Sequence, residues 1–185
     1  PERPLLLLSH PPVAFDMPPP AADRGDQLRL LSFGRLLPYK GLDLLVEALA
    51  LLGPRPELAV RVVGSGPEST TLSALRALPG VTVENRWVPE DEIGELLGWS
   101  DALVLPYREA SQSGVAAAAI AAGRRVLATR VGGLAEQLAD APGAILCEPD
   151  AASLAAGLRG LLAAPRDAAA APVADPRAAW RALAA

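Results

Sequence analysis

The sequence predicts an α/β protein with a doubly wound, Rossmann-like parallel sheet, on three observations. Six short apolar runs of strand length alternate with longer amphipathic stretches, the pattern of successive βα units. The strand-length runs barely alternate in polarity, as expected where helices cover both faces of the sheet. Hydrophobic residues make up 51% of the chain but aromatics only 4%, so the core has to be built from Leu, Val and Ala. That composition suits helices packed closely on a sheet.

The strands are expected over Leu28 to Phe33, Leu58 to Val63, Val81 to Glu84, Ala102 to Leu105, Arg125 to Thr129 and Ala144 to Cys147. Helical patterns fill Leu42 to Leu52, Ser69 to Ala77, Glu90 to Trp99, Ser113 to Ala122, Leu134 to Ala139 and Ala151 to Ala163. In the first of them Leu42, Leu45, Val46 and Leu49 share one face, while Asp43 and Glu47 point away. In a doubly wound sheet ligands sit outside the carboxyl ends of the strands, so function is sought in the loops that leave those ends.

With 185 residues the chain is expected to form one domain with tails. Residues 1–22 hold seven prolines, among them Pro18-Pro19-Pro20, and read as an interdomain linker. His10 lies in this stretch without a carboxylate neighbour and reads as a solvated linker histidine. The folded domain is expected over residues 23–164. An Ala- and Pro-rich tail follows over 165–185, with a helical pattern around Trp180 too short to be stable alone.

The formal net charge is -4, and the 17 Lys and Arg are scattered instead of forming the stripe that a phosphate backbone demands. Nucleic acid is therefore not an expected partner. The lone Cys147 excludes an intrachain disulfide, and with one His the chain lacks the ligands of a Cys/His zinc site. No metal is expected, and the composition fits a reducing cytoplasm. Cys147 itself reads as a small buried hydrophobe. The apolar run Leu5 to Leu8 is far too short to span a bilayer.

Several loops carry residues suited to chemistry. The first strand runs into Gly34-Arg35-Leu36-Leu37-Pro38-Tyr39-Lys40-Gly41. Two cations around a glycine-flanked turn that opens a helix suit a diphosphate, because Arg forks onto phosphate oxygens and free helix amides add positive potential. Taken alone, Arg and Lys near loop ends are as readily solvated charges. The second strand ends in Gly64-Ser65-Gly66-Pro67, which is either a tight turn or a place where a ligand approaches backbone. The third unit gives Arg86-Trp87-Val88-Pro89 before three acids that favour the following helix's dipole. After the fourth strand, Glu109 precedes Ser111-Gln112-Ser113-Gly114-Val115, small residues that leave helix N-terminal amides open to an anion. Glu109 could equally be a surface carboxylate paired with Arg108. The fifth strand leads into Thr129-Arg130-Val131-Gly132-Gly133-Leu134-Ala135-Glu136.

Together these segments resemble the group 1 glycosyltransferases (family 4 type), in the family's order and over Leu28 to about Leu162. Gly34-Arg35 and Lys40-Gly41 match its Gly-Arg-(four residues)-Lys-Gly segment, and Gly64 to Pro67 its Gly-x-Gly-Pro turn. Arg86 to Pro89 is similar to its Gly-aromatic-Val-Pro turn, with Arg86 in place of glycine, and Thr129 to Glu136 to its Thr-x-x-Gly-Gly-x-x-Glu segment. The resemblance implies the nucleotide-sugar-binding half of a GT-B fold and a retaining transferase that needs no cofactor and takes a nucleoside diphosphate sugar, such as a UDP- or GDP-sugar. It assigns the diphosphate to Arg35 and Lys40 and the donor sugar to Glu109. The remaining substrate contacts fall on Gly34, Gly64, Gly66, Arg86, Trp87, Ser113, Gly114, Val115, Gly132 and Gly133.

The family's loop carries a second glutamate, eight positions after the first and facing the ribose. Counting forward from Glu109 reaches Ala117, and counting back from Gly123 reaches Ala118, so that carboxylate is absent. The resemblance also implies a preceding acceptor-binding domain, which residues 1–22 are too short to replace and through which any peripheral membrane association would run. Two other readings stand beside it: a non-catalytic nucleotide-binding or assembly module, supported by Ala118, and a sugar-nucleotide epimerase relative, which the Gly-Arg-(four)-Lys-Gly and Thr-x-x-Gly-Gly segments argue against.

Overall fold

The computed structural model describes residues 25–165. The linker expected over 1–22, with His10, and nearly all of the tail, with Trp180, lie outside the described residues. Six strands form one sheet: β1 (Leu28–Phe33), β2 (Leu58–Gly64), β3 (Val81–Asn85), β4 (Ala102–Leu105), β5 (Arg125–Thr129) and β6 (Ala144–Cys147). Between and after them run α1 (Leu42–Leu52), α2 (Thr70–Ala77), α3 (Glu90–Trp99), α4 (Gly114–Ala121), α5 (Gly132–Leu138) and α6 (Ala151–Ala163).

Every adjacent strand pair is parallel, in the order β3-β2-β1-β4-β5-β6. The chain winds outward from β1 to β3, then returns to the other side of β1 and winds outward again through β4, β5 and β6. The point of reversal lies between β1 and β4, where the loops that follow the two strands diverge to opposite faces and leave a crevice.

The two faces have separate cores. Leu28 and Leu30 of β1, with Val60 and Val62 of β2, pack under α1, α2 and α6. Leu31, Phe33, Leu103 and Leu105 point the other way, under α3, α4 and α5. This is the period-2 alternation of a strand, hidden in the sequence because both faces are covered. Ala116 to Ala119 of α4 are all buried, and their small side chains let that helix lie close to the sheet.

The element boundaries differ from expectation by one or two residues. Ser69 and Ser113, expected inside helices, stand just before them as caps: their hydroxyls accept the Leu72 and Ala116 N–H groups at 3.3 and 3.2 Å. Asp150 does the same for α6, accepting the Ser153 N–H at 2.8 Å. Helix α5 starts at Gly132, two residues earlier than its apolar pattern, because glycines carry no periodic signal.

Candidate functional site

The loop after β1 sets the first wall of the crevice. It closes in a short 3-10 turn, Pro38–Lys40, ended by Gly41 in the left-handed conformation (φ 63°). A Cβ on Gly41 would lie 1.8 Å from the Pro106 carbonyl oxygen, so glycine is required there to let this loop touch the one after β4. Arg108 N–H donates to the Tyr39 carbonyl at 2.8 Å across the same seam.

The two predicted cations are held differently. Arg35 is exposed and makes no ion pair or hydrogen bond among the described residues. Lys40 is half-buried, with its Nζ 5.4 Å from the Tyr39 ring centroid and 4.0 Å from that of Tyr107. It donates to the Tyr107 hydroxyl at 2.6 Å. Burial, reinforced by the Arg35 charge, brings the Lys40 ammonium down to about 8. Among the described residues no carboxylate pairs with it.

The loop after β4 forms the second wall. Tyr107 is 3% exposed, and burial pushes its phenol up to about 12, so it stays a neutral hydroxyl. Arg108 turns away from Glu109 and pairs with Asp43 of α1, which leaves the Glu109 carboxylate exposed at the crevice. Ser113 is fixed by Gln137 of α5, whose amide accepts the Ser113 N–H at 2.9 Å and donates to its carbonyl at 3.0 Å. The N-terminus of α4 lines the same cavity as Lys40.

The third wall is the turn between β3 and α3. Here the Arg86 guanidinium is enclosed by Glu84 and Glu92, donating to both, and also reaches the Trp87 carbonyl at 3.3 Å. Arg61 pairs with Glu84 at 2.5 Å and lies 5.1 Å from the Trp99 ring centroid. Trp87, 74% exposed, projects from this braced turn.

Between the walls is a cavity of about 880 Å³, lined among others by Lys40, Trp87, Tyr107, Glu109, Ser113 and Ala118. Gly114 and Val115 also face it. A smaller recess of about 210 Å³ shares Phe33, Trp87, Val88 and Ile93 with it and adds Gly34, Arg35 and Gly64. Gly66, Arg86, Gly132 and Gly133 line neither space.

For the glycines, backbone approaches backbone. A Cβ on Gly64 would come within 1.6 Å of the Gly34 carbonyl oxygen, on Gly66 within 2.3 Å of that of Leu36, and on Gly133 within 1.9 Å of that of Ser111. The motif glycines stitch the loops to one another. Of the two positions for the absent glutamate, Ala118 lines the cavity and Ala117, though buried, is not among its lining residues.

Sequence reasoning gave no role to Tyr39, Tyr107 or Gln137. The available signal was an aromatic directly after the Pro that follows β4, at the strand end nearest the sheet's reversal.

The profile of the family described as "Glycosyl transferases group 1" matches residues 27–164, the whole folded domain. The chain belongs to this family. A GDP-mannose-dependent alpha-(1-6)-phosphatidylinositol monomannoside mannosyltransferase of Mycolicibacterium smegmatis is 33% identical over 81% of this chain and 42% of its own length. A D-inositol 3-phosphate glycosyltransferase of Catenulispora acidiphila is 37% identical over 76% of this chain and 36% of its own. The chain thus spans less than half the length of these curated relatives.

Two solved structures share the fold. One is a sucrose-phosphate synthase from Thermosynechococcus elongatus, with a TM-score of 0.69 at 24% identity over 89% of this chain and 45% of that one. The other is an alpha,alpha-trehalose-phosphate synthase (UDP-forming) from Burkholderia vietnamiensis, with a TM-score of 0.62 at 18% identity over 86% and 42%. The doubly wound sheet of this group 1 family member thus has the fold of one part, somewhat less than half, of each of those two structures. Among the described residues no helix is long and apolar enough to cross a membrane.

Proposed function

We propose that this chain is the donor-binding domain of a retaining glycosyltransferase, which moves a sugar from a nucleoside diphosphate sugar to an acceptor held by another domain. The observation that carries the reading is the meeting of Lys40 and the α4 N-terminus in one large cavity, with Arg35 in the smaller recess that shares a wall with it, at the point where the sheet order reverses. Neither Arg35 nor Lys40 has a carboxylate partner among the described residues, so both are available to an anion.

In this reading Arg35 and Lys40 hold the diphosphate in place of a metal ion, and Glu109 faces the donor sugar. Charge builds on the leaving diphosphate in the transition state, where pre-placed cations act most strongly. The motif glycines set the loops at their working spacing, and Trp87 borders the base. The base is open between guanine and uracil: the Mycolicibacterium relative is named for GDP-mannose, and the Burkholderia structure for forming UDP.

Calorimetry with UDP and GDP tests the reading. The wild-type chain should bind at least one of them, and Arg35→Ala/Lys40→Ala should weaken that binding by about a hundredfold or more, since each hydrogen bond to a charged group contributes about 1.5 to 3 kcal/mol. Unchanged binding in the double variant would overturn the assignment. The isolated chain should transfer no sugar at a useful rate, because positioning the acceptor accounts for roughly 7 to 11 kcal/mol of barrier reduction.

A second reading, a nucleotide-binding module without chemistry, is favoured by Ala118 standing where the cavity would otherwise present a second carboxylate. A transfer assay on a chain that includes the acceptor domain separates the two. Turnover there removes the second reading.

A further inference from the structure

Tyr107 stands outside every motif, yet it joins the turn before α1, the cap of α4 and the end of β5. Its hydroxyl accepts a hydrogen bond from the Lys40 ammonium at 2.6 Å, and the Tyr39 ring meets its own edge-on at 6.3 Å, with that ammonium near both rings. The same hydroxyl lies 3.4 Å from the Ser113 Oγ, the cap of α4. Its backbone carbonyl accepts the Thr129 hydroxyl at 2.5 Å, at the end of β5. The phenol is buried and neutral, so it can bind an ammonium without pairing away the charge.

We propose that Tyr107 is a positioning residue that holds the Lys40 ammonium beside the α4 N-terminus, so that both meet the same phosphate group of a nucleoside diphosphate. The proposal rests on the donor-binding reading and adds to it a residue that acts through Lys40.

A free lysine side chain samples many rotamers, and holding it in one before the ligand arrives removes an ordering cost from binding. Tyr107 does this with an acceptor that leaves the cation its full charge, which Asp or Glu in the same place would not. The order of the hydrogens follows from the donors. Lys40 donates to the phenol oxygen, so the phenol hydrogen is free to turn toward Ser113 Oγ. That oxygen also accepts the Ala116 N–H at 3.2 Å. With both acceptor positions engaged, the serine's own hydrogen is directed elsewhere, and Ser113 borders the cavity.

The test is a double-mutant cycle on the full 185-residue chain, read by calorimetry with whichever of UDP and GDP binds. Tyr107→Phe keeps the buried ring and should weaken binding by about threefold to tenfold. In the Lys40→Met background, which keeps an unbranched side chain of similar length without the ammonium, the same substitution should change affinity by less than about twofold. A merely structural role for the hydroxyl would give the same loss in both backgrounds, and that result, or no loss in either, overturns the proposal.

Lys40→Arg supplies a second measurement that leaves residue 107 intact. It keeps the charge but replaces the compact ammonium with a wide planar head that cannot sit on the phenol oxygen in the same way, so affinity should fall several-fold. Full retention would show that charge alone matters and would also overturn the proposal. Absence of binding by the wild-type chain to both nucleotides would instead remove the donor-binding reading beneath it.

Discussion

Arg35 and Arg86 flank the same cleft and are held in opposite ways. Arg86 is enclosed by Glu84 and Glu92 and braces the turn beneath Trp87, whereas Arg35 stands in solvent with no acidic partner among the described residues. Both were candidates for substrate contact on sequence grounds. A guanidinium that already has two carboxylates gains little from a third anion, because its charge and its donors are used. One that has none keeps both for a ligand. On the proposed function, the wall after β1 is the one that meets an anion, while the wall after β3 is braced by its own ion pairs.

The sharpest way to break this contrast is to compare the two alanine variants. Arg35→Ala should weaken UDP or GDP binding by about tenfold to a hundredfold and leave the melting temperature within error, since no folded-state contact is lost. Arg86→Ala should do the reverse, lowering the melting temperature with a smaller change in affinity. Equal losses of affinity in the two variants would show that Arg86 also meets the ligand.

A smaller effect concerns acid. Arg86 holds the carboxyl of Glu92 below its usual value by hydrogen bonding, and Arg61 and Arg86 together keep Glu84 low against the opposing effect of burial. Folded-state values below the unfolded ones mean that the fold binds fewer protons than the unfolded chain in this window. The stabilisation is therefore present above about pH 4.5 and is lost as pH falls through the lowered values. Chemical denaturation between pH 3 and 6 should show a shallower pH dependence in Arg86→Ala, and an unaltered slope would remove the ion pairs from the account.

The smallest effect is read as protons. Burial, with the neighbouring Arg35 charge, brings the Lys40 ammonium to about 8, below the 10.5 of a free lysine. A bound diphosphate favours the charged form and raises that value. Below pH 7 the ammonium is already formed and binding takes up no proton through it; between about pH 8 and 9 binding should draw up to one proton from solution, and affinity should decline as pH rises. Titrations in buffers of different ionisation enthalpy measure the uptake, and Lys40→Met should abolish it.

The strands and helices were legible because each apolar run had to be covered on both faces, and that requirement writes itself locally as uninterrupted hydrophobic stretches. The loops carrying Arg35, Lys40, Glu109 and Trp87 were legible from motif order. The pairing of Lys40 with Tyr107 was not, because 67 residues separate them and they meet only through the adjacency of β1 and β4. The same holds for Arg108 and Asp43, 65 residues apart, whose ion pair overturns the reading of Glu109 as Arg108's partner. Local pattern says what a residue can do; strand order decides which residue it does it with.

The carbonyl-to-glycine seams at Gly41, Gly64, Gly66 and Gly133 have a consequence for how this domain can change over evolutionary time. Contacts between main chains are indifferent to the side chains on neighbouring positions, so the spacing of the loops is set by residues that have no side chain to vary. The side chains of Glu109 and Trp87 stand on that frame, exposed. On the proposed donor-binding reading, a lineage is then free to exchange them, and with them its choice of sugar or base, while the spacing of the loops is inherited intact.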